Sequence, residues 1–298
     1  MKKLLILVLA LAMVLALAAC GAGGGNEPAP APDSGEPAVT DGGEAPTSDL
    51  PPLRVAMECG YAPYNWTQED DSNGAVPIAD SSDYAFGYDV MMAKLVAESM
   101  GRDLVIVKLD WDSLIPALQS GTVDAVIAGQ SITSDRLEQV DFSEPYYYAS
   151  IVTLTLKDSP YASAQGLSDL AGATCTSQLG TIWYDNCIPQ IENANVKAAQ
   201  ETAPSMLVAL ESGDVDLVVT DMPTAMAATS VYSDMVLLDF SGTDDDFVVS
   251  DEDINLGISV QKGNTELLEA INAVLATLTV DDYEAMMQTA ISVQPLSE

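Results

Sequence analysis

One order of apolar and polar positions occurs twice along this chain of 298 residues. Residues 117–128 contain an apolar helix end, a Ser-Gly stop, Val-Asp and a short apolar run, and residues 209–220 repeat this order. The glycine suits the left-handed backbone that ends a helix, and an unbroken apolar run is typical of a strand buried on both faces. The repeat therefore predicts an α/β protein with two similar lobes, each a mainly parallel sheet covered by helices.

The same periodicity assigns the other elements. Strands are predicted at residues 53–57, 104–109, 123–128, 150–157, 173–177, near 196, at 215–220 and at 255–260, and helices at 90–100, 113–120, after 180, at 265–278 and at 281–290. Asp89 is the expected N-cap of the first helix. The first lobe is predicted to comprise residues 50–148 and 252–298, and the second residues 149–251. The two strands that cross between the lobes, 150–157 and 255–260, predict a hinge and a cleft that can close.

The first 49 residues differ from the rest in composition. Two lysines and an apolar run predict a signal peptide over residues 1–19, which is too short to span a bilayer comfortably. The small residues before Cys20 resemble the bacterial lipobox, and this resemblance implies cleavage there and a lipid such as palmitate on Cys20; the alternative is ordinary secretion. Residues 20–49 are rich in Gly, Pro, Ala and acidic residues, which predicts a disordered tether behind the lipidated cysteine.

Charge and histidine content narrow the function. The formal net charge is -35, and so acidic a chain repels nucleic acid and anionic headgroups. The sequence has no histidine, which excludes Ser-His-Asp and Cys-His catalytic systems and histidine metal ligands. The acidic run at residues 239–253 is interpreted as a solvated loop, with a cation site as the alternative. We therefore expect no nucleic acid partner, no metal and no cofactor.

Three cysteines remain besides Cys20, and they allow at most one internal disulfide. Cys175 and Cys187 are the natural pair because they lie twelve residues apart, with Cys175 in a predicted strand. Free buried thiols at Cys59, Cys175 and Cys187 are equally compatible with the sequence.

Candidate binding residues follow the two repeat strands, where ligands of parallel sheets bind. After the first copy, Thr133 is a plausible N-cap with Arg136 three residues later, so that backbone N–H groups and a guanidinium would converge on a carboxylate. A surface ion pair is the alternative for Arg136. Asp221 ends the second copy and suits an ammonium group, although it can also cap the next helix. Residues 180–182 occupy the equivalent turn of the second lobe and offer further N–H donors.

A site that binds a carboxylate at one end and an ammonium group at the other fits a free α-amino acid. The segment after the first strand, residues 58–66, adds one carboxylate at Glu58 and several aromatic rings. Tyr64 and Trp66 either line the cleft or pack the loop. Glu58 favours cationic or neutral polar ligand side chains, such as those of arginine, lysine, ornithine, glutamine or cystine, over those of aspartate and glutamate.

Several short motifs carry a family resemblance. They are Glu58-x-x-Tyr61-x-Pro63, Gly87-Tyr-Asp89, Trp111-Asp-x-Leu-Ile-Pro-Ala-Leu118, Ala128-Gly129-x-Ser-Ile-Thr-x-x-Arg136, Val140-Asp-Phe-Ser-x-Pro-Tyr146, Gly180-Thr181, Val215-Asp216 and Gly257-Ile258. With these motifs, residues 53–290 resemble the extracellular solute-binding proteins of family 3, the amino-acid receptors of ABC importers. The resemblance implies the type II periplasmic-binding fold, with two lobes on a two-strand hinge.

It also implies a function. The expected protein is a monomeric, lipid-anchored receptor on the extracytoplasmic face of the cell membrane that captures a free amino acid and passes it to an ABC permease. Arg136 would bind the carboxylate with help from the Ser131 and Thr181 regions. Asp221, with the Gly129 carbonyl and Ser131, would bind the ammonium, and Glu58 and Tyr61 would meet the ligand side chain. The full set of implied ligand-binding positions is Glu58, Tyr61, Gly129, Ser131, Arg136, Thr181 and Asp221.

Two other functions share this fold. Dehydratases acting on prephenate-like acids resemble it, and Glu58 is placed to serve as their general acid. The absence of histidine and the complete amino-acid clamp argue against an enzyme. A tethered sensor subunit that reports to a membrane partner is the third reading.

Overall fold

The computed structural model describes residues 48–295. The predictions for the signal peptide, for lipid on Cys20 and for nearly all of the tether lie outside the described residues. Within them, no helix has the length and apolar character needed to cross a membrane.

The apolar runs form two five-stranded sheets with the same internal order. We call the parts of the chain built on them the first and the second lobe. The first sheet contains, in spatial order, Leu104–Lys108, Leu53–Met57, Ala125–Val126, Ser259–Gln261 and Val140–Phe142. The second contains Asn195–Val196, Thr174–Thr176, Leu217–Asp221, Ile151–Leu156 and Met235–Leu238.

A strand from each repeat copy, Ala125–Val126 or Leu217–Asp221, occupies the centre of its sheet. The first three strands of each sheet pair in parallel, and the last two join through antiparallel pairs. The fourth strand in the spatial order of each sheet, Ser259–Gln261 or Ile151–Leu156, follows the connection from the other lobe. It runs antiparallel to the first three strands, which makes the sheets mixed. The prediction of two similar lobes is confirmed.

The helices that cover the sheets are Tyr88–Ser99, Leu114–Gln119, Ser134–Leu137, Ala203–Glu211, Met222–Val231, Asp251–Ile254, Thr265–Leu275 and Val280–Val293. The expected N-cap at Asp89 is wrong, because Gly87 caps this helix and Asp89 lies inside its first turn. After Gly180 the chain forms a π-helical turn at Trp183–Cys187 and a 3₁₀ turn at Ile188–Gln190.

A two-stranded antiparallel ribbon links the lobes, with Tyr147–Tyr148 paired to Asn255–Leu256. The predicted two-strand connection is confirmed, but its first strand is Tyr147–Tyr148 and not residues 150–157. Strand Ile151–Leu156 does not cross, since it lies wholly in the second sheet. The strand predicted at 255–260 is divided at Gly257, where a Cβ would lie 2.8 Å from Ile132 and 2.9 Å from Phe142. This close packing turns the chain from the ribbon into the first sheet; the predicted lobe boundaries stay predictions.

The segment after the first strand forms a small sheet of its own. It forms a four-stranded antiparallel sheet of Gly60–Tyr61, Asn65–Gln68, Tyr84–Phe86 and Val76–Pro77, in that order. Tyr64 and Trp66 are both buried in it, and the Trp66 ring packs edge-on against Phe86 at 5.5 Å. This supports the packing role for Trp66.

In the described part of the chain, the cysteines form no disulfide and the acidic residues form no metal cluster. Cys59, Cys175 and Cys187 are free and buried, so the bridge between Cys175 and Cys187 is not formed in the structure. Burial raises the pKa of each thiol to about 12, which keeps it protonated. No group of three acidic, cysteine or histidine side chains within residues 48–295 is arranged to hold a metal ion.

Candidate functional site

A narrow cleft lies where the carboxyl ends of the central strands of the two lobes face each other. It is lined by Tyr61, Trp111, Gly129, Ser131 and Arg136 from the first lobe and by Gln178, Thr181, Ile182 and Trp183 from the second. Five of the seven predicted binding residues are in this lining. The other two, Glu58 and Asp221, lie directly behind it, in contact with Gln178 and Tyr61.

Arg136 is held in position by its own short helix. Thr133 caps this helix, as expected, by accepting from the Arg136 backbone N–H at 3.4 Å. The guanidinium donates to the Ser131 carbonyl at 2.9 Å and, across the cleft, to the Gly180 carbonyl at 3.3 Å. Its carbon also lies 5.5 Å from the centre of the Trp111 ring. Burial lowers the pKa of Arg136 to about 10, so it remains a cation at neutral pH with further N–H donors for a carboxylate.

Asp221 has the helix-capping role that was considered for it, and its second carboxylate oxygen faces the first lobe. It ends the central strand of the second sheet and caps the next helix, since its Oδ1 accepts from the Thr224 N–H at 2.8 Å. Its Oδ2 accepts from the Tyr61 hydroxyl of the first lobe. The residue is 2% exposed, and this burial raises the pKa of its carboxyl group. Asp221 therefore offers a desolvated acceptor directly behind the lining of the cleft.

Glu58 faces Gln178 across the cleft. The Gln178 Nε2 lies 3.4 Å from Glu58 Oε1 and 3.3 Å from Oε2, which makes a long, divided hydrogen bond. Glu58 is 6% exposed, and its pKa is raised to about 7. Burial is the main cause; Gln178 and Lys108 oppose it, and Asp110 adds to it. This end of the cleft is rich in hydrogen-bond acceptors and lacks a paired cation among the described residues.

The small residues of the two cleft loops have defined positions. Gly129 has a φ of +62°, and a Cβ there would lie 2.7 Å from the Tyr61 ring, so the site requires glycine. The Ser131 hydroxyl donates to the Asp253 carbonyl at 3.0 Å, and the Thr181 hydroxyl donates to the Gln178 carbonyl at 2.8 Å. Each hydroxyl keeps its oxygen as an acceptor and fixes the loop that carries it.

Sequence reasoning missed Trp111, Gln178 and Trp183 as cleft residues, whereas Ile182 belongs to the predicted turn at residues 180–182. Gln178 follows strand Thr174–Thr176, so the strand-end argument that selected Asp221 would have found it. Trp111 stands in a quoted motif, but nothing in its local pattern says that its ring lies over Arg136. Trp183 approaches Tyr61 with ring centroids 6.1 Å apart, and this pairing joins segments from different lobes.

Residues 53–291 match the model of the bacterial extracellular solute-binding proteins, family 3, and the chain therefore belongs to this family. Its paired lobes, mixed sheets and connecting ribbon are the type II periplasmic-binding fold that the motifs implied. The chain is similar to a probable histidine-binding protein of Campylobacter jejuni, with 32% identity over 173 residues that cover 58% of this chain and 61% of that protein. It thus spans less than two thirds of that relative's length.

Two solved structures of reconstructed ancestral proteins are also similar. An ancestral arginine-binding protein bound to arginine is 32% identical, with a TM-score of 0.63 and coverage of 80% of this chain and 96% of that one. The ancestral amino-acid-binding protein AncCDT-1, described as a precursor of cyclohexadienyl dehydratase, is 28% identical, with a TM-score of 0.65 and coverage of 80% and 95%.

Proposed function

We propose that this protein is the substrate-binding lipoprotein of an amino-acid ABC importer, which captures a free polar or cationic L-amino acid by closing its two lobes. The observation that carries the proposal is the placement of opposite charges at one cleft. Arg136 of the first lobe lines it, and Asp221 of the second lies directly behind the lining, where it accepts from Tyr61. A free amino acid carries both complementary charges, so each end of its backbone has a partner on a different lobe.

The contacts assign a role to each predicted residue. Arg136, with two of its five donors used on carbonyls, binds the ligand carboxylate together with the loop at Thr181. Asp221 binds the ammonium, with the Gly129 carbonyl and Ser131 beside it. Because these groups belong to both lobes, the closed form gains contacts that an open form lacks, and ligand binding drives closure.

Glu58 and Tyr61 define the side-chain end of the site. Glu58 is a buried carboxylate without a paired cation among the described residues, and a cationic or amide side chain would supply the missing donors. An acidic ligand would instead bring a second negative charge to a chain whose formal net charge is -35. The names of the histidine-binding and arginine-binding relatives support a cationic preference.

The cellular setting follows from the residues that precede the described part. A lipid on Cys20 would anchor the receptor to the outer face of the cell membrane, with residues 20–49 as its tether. We expect it to act as a monomer, with an ABC permease as its partner. Mass spectrometry of the membrane-extracted protein tests the anchor, since a mature chain beginning with diacylglyceryl-Cys20 is expected and an unmodified chain contradicts it.

An enzyme is the second candidate, and one observation favours it. Glu58 is a buried glutamic acid at the cleft, and its pKa of about 7 suits a general acid. The chain is also similar to AncCDT-1, the precursor of a dehydratase. The complete clamp for an amino acid still favours binding without turnover. Incubation with prephenate-like acids separates the two functions, because the receptor should leave them unchanged.

A thermal-shift screen of the twenty amino acids, ornithine and cystine tests the main proposal. Wild type should be stabilised by at least one cationic or neutral polar amino acid, and Arg136→Ala should lose that shift. The matched control is Arg54→Ala, which removes an arginine that donates to the Thr122 carbonyl away from the cleft. The proposal fails if no amino acid stabilises the wild type at millimolar concentration.

A further inference from the structure

A second buried carboxylate lies beneath the cleft and belongs to no binding role described so far. Asp89 is 0% exposed in the first turn of helix Tyr88–Ser99, and it makes no capping bond to that helix. The ion pairs in the described part of the chain are Arg102 with Asp124 and Lys262 with Asp141, so Asp89 has no cationic partner there. A buried carboxylate is costly unless hydrogen bonds compensate it.

Two side chains provide that compensation. The Asn65 Nδ2 donates to Asp89 Oδ2 at 2.7 Å, and the Tyr146 hydroxyl donates to Oδ1 at 2.6 Å. Both donors are buried, with exposures of 0% for Asn65 and 1% for Tyr146. The pKa of Asp89 is raised to about 7, mainly by burial, with the charge of Asp221 adding to the rise and the hydrogen bonds from Tyr146 and Asn65 opposing it.

The side chains of Asn65 and Tyr146 each also accept a hydrogen bond from a backbone N–H group of one cleft loop. The Asn65 Oδ1 accepts from the Cys59 N–H at 2.6 Å, next to Glu58 in the first loop. The Tyr146 oxygen accepts from the Gly129 N–H at 2.9 Å in the second loop. Both anchored residues have left-handed backbones, with φ of 54° at Cys59 and 62° at Gly129. The anchors therefore fix the loops where the chain turns towards the ligand.

We propose that Asp89 is a positioning residue that, through Asn65 and Tyr146, holds the two first-lobe cleft loops in the arrangement that binds the ligand. This proposal rests on the proposed function for its affinity readout. It does not make Asp89 a ligand contact, because Asn65 and Tyr146 stand between its carboxylate and the loops. It predicts that affinity depends on the pattern of donors and acceptors in this network and not only on stability.

An exchange of the two neighbouring side chains tests that pattern. Asp89→Asn alone sets its amide N–H group against the Asn65 amide, and Asn65→Asp alone sets two carboxylates face to face. Together, the two substitutions restore every bond, since residue 65 becomes the acceptor for Cys59 and residue 89 still accepts from Tyr146. We expect each single variant to lose at least tenfold in amino-acid affinity by calorimetry, and the double variant to recover to within about threefold of wild type.

Tyr146→Phe is a gentler second variant, because it removes only the hydroxyl that joins Asp89 to Gly129. It should also lose at least tenfold in affinity. Its control is Tyr88→Phe, which removes a buried hydroxyl of the same cluster that donates to the Tyr146 carbonyl and not to Asp89; it should bind within threefold of wild type. Tyr146→Phe also decides the matter if Asp89→Asn does not fold. Wild-type affinity in Tyr146→Phe, or a folded double variant that binds no better than the single ones, overturns the proposal.

A ligand-independent measurement separates this proposal from the proposed function. In ligand-free protein, Tyr146→Phe should shift the NMR signal and speed the hydrogen exchange of the Gly129 amide, and Asp89→Asn should do so for the Cys59 and Gly129 amides. If wild type binds no amino acid but these amides respond, the proposed function fails and the positioning role stands. If wild type binds and the amides do not respond, the positioning role fails alone.

Discussion

The hydroxyl of Tyr61 donates a hydrogen bond to the carboxylate of Asp221, and this contact joins the two lobes across the cleft. The acceptor is Oδ2, while Oδ1 is held by the Thr224 N–H. The same carboxylate is the proposed partner of the ligand ammonium. We predict that the ammonium displaces the Tyr61 hydroxyl from this oxygen.

Replacing Tyr61 by phenylalanine tests this displacement. Tyr61→Phe keeps the ring but removes the hydroxyl that must leave Asp221, so we expect five- to tenfold tighter binding, equivalent to about 1 kcal/mol. The ligand-free protein should lose a similar amount of stability. Isothermal titration calorimetry and chemical unfolding measure the two effects. Weaker binding would mean that the hydroxyl contributes to holding the ligand.

Arg136→Ala should abolish measurable binding while the fold remains intact. The loss of one partner of a desolvated charge pair costs about 2–5 kcal/mol, which weakens affinity at least thirtyfold. Calorimetry on this variant and on the Arg54→Ala control, with circular dichroism for the fold, checks the expectation. An affinity within threefold of wild type would reject Arg136 as the carboxylate site.

Glu58→Gln should discriminate between ligand classes. It keeps the shape and an acceptor oxygen facing Gln178 but removes the negative charge. A cationic amino acid should lose at least tenfold in affinity, whereas a neutral polar one should change less than threefold. Competition titrations of arginine and glutamine against both proteins give the ratio. Equal losses would show that Glu58 has a structural role.

Binding of a cationic ligand should also depend on pH. The pKa of Glu58 is raised by burial from 4.5 to about 7, so its ligand-attracting form becomes dominant only above that pH. Affinity should rise between pH 6 and pH 8 and change by up to about tenfold per unit below the pKa. Asp89, with a pKa also near 7, titrates in the same range. The difference between wild type and Glu58→Gln isolates the Glu58 contribution, and identical pH profiles would contradict it.

The stability of the ligand-free protein should move in the opposite direction. A carboxyl group whose pKa is raised by folding is bound to its proton more tightly in the folded state than in the unfolded state. The stability from Glu58 and Asp89 is therefore complete below their unfolded pKa values and is lost as pH rises through about 7. Urea unfolding at pH 5, 6, 7 and 8 measures it. A flat or rising stability that is unchanged by Glu58→Gln would contradict the assignment.

The two lobes, and the strand ends where the site lies, could be predicted from the amino-acid sequence. A helix stop followed by an apolar strand is a local pattern. The structure of residues 117–128 and 209–220 can therefore be predicted without knowledge of the rest of the chain. Arg136 and Asp221 could be selected because each stands shortly after such a strand. Glu58 could be selected in the same way, because it follows the end of the first strand.

Local patterns could not show which of these groups meet in the folded protein. Tyr61 and Asp221 are 160 residues apart in the chain, and Glu58 and Gln178 are 120 apart. Aspartate is a common helix cap, but Asp89 is buried by packing. It accepts hydrogen bonds from Asn65 and Tyr146, which are 24 and 57 residues away in the chain. Such contacts depend on how whole lobes pack, and the desolvation and pairing of these side chains arise only once that packing brings them together.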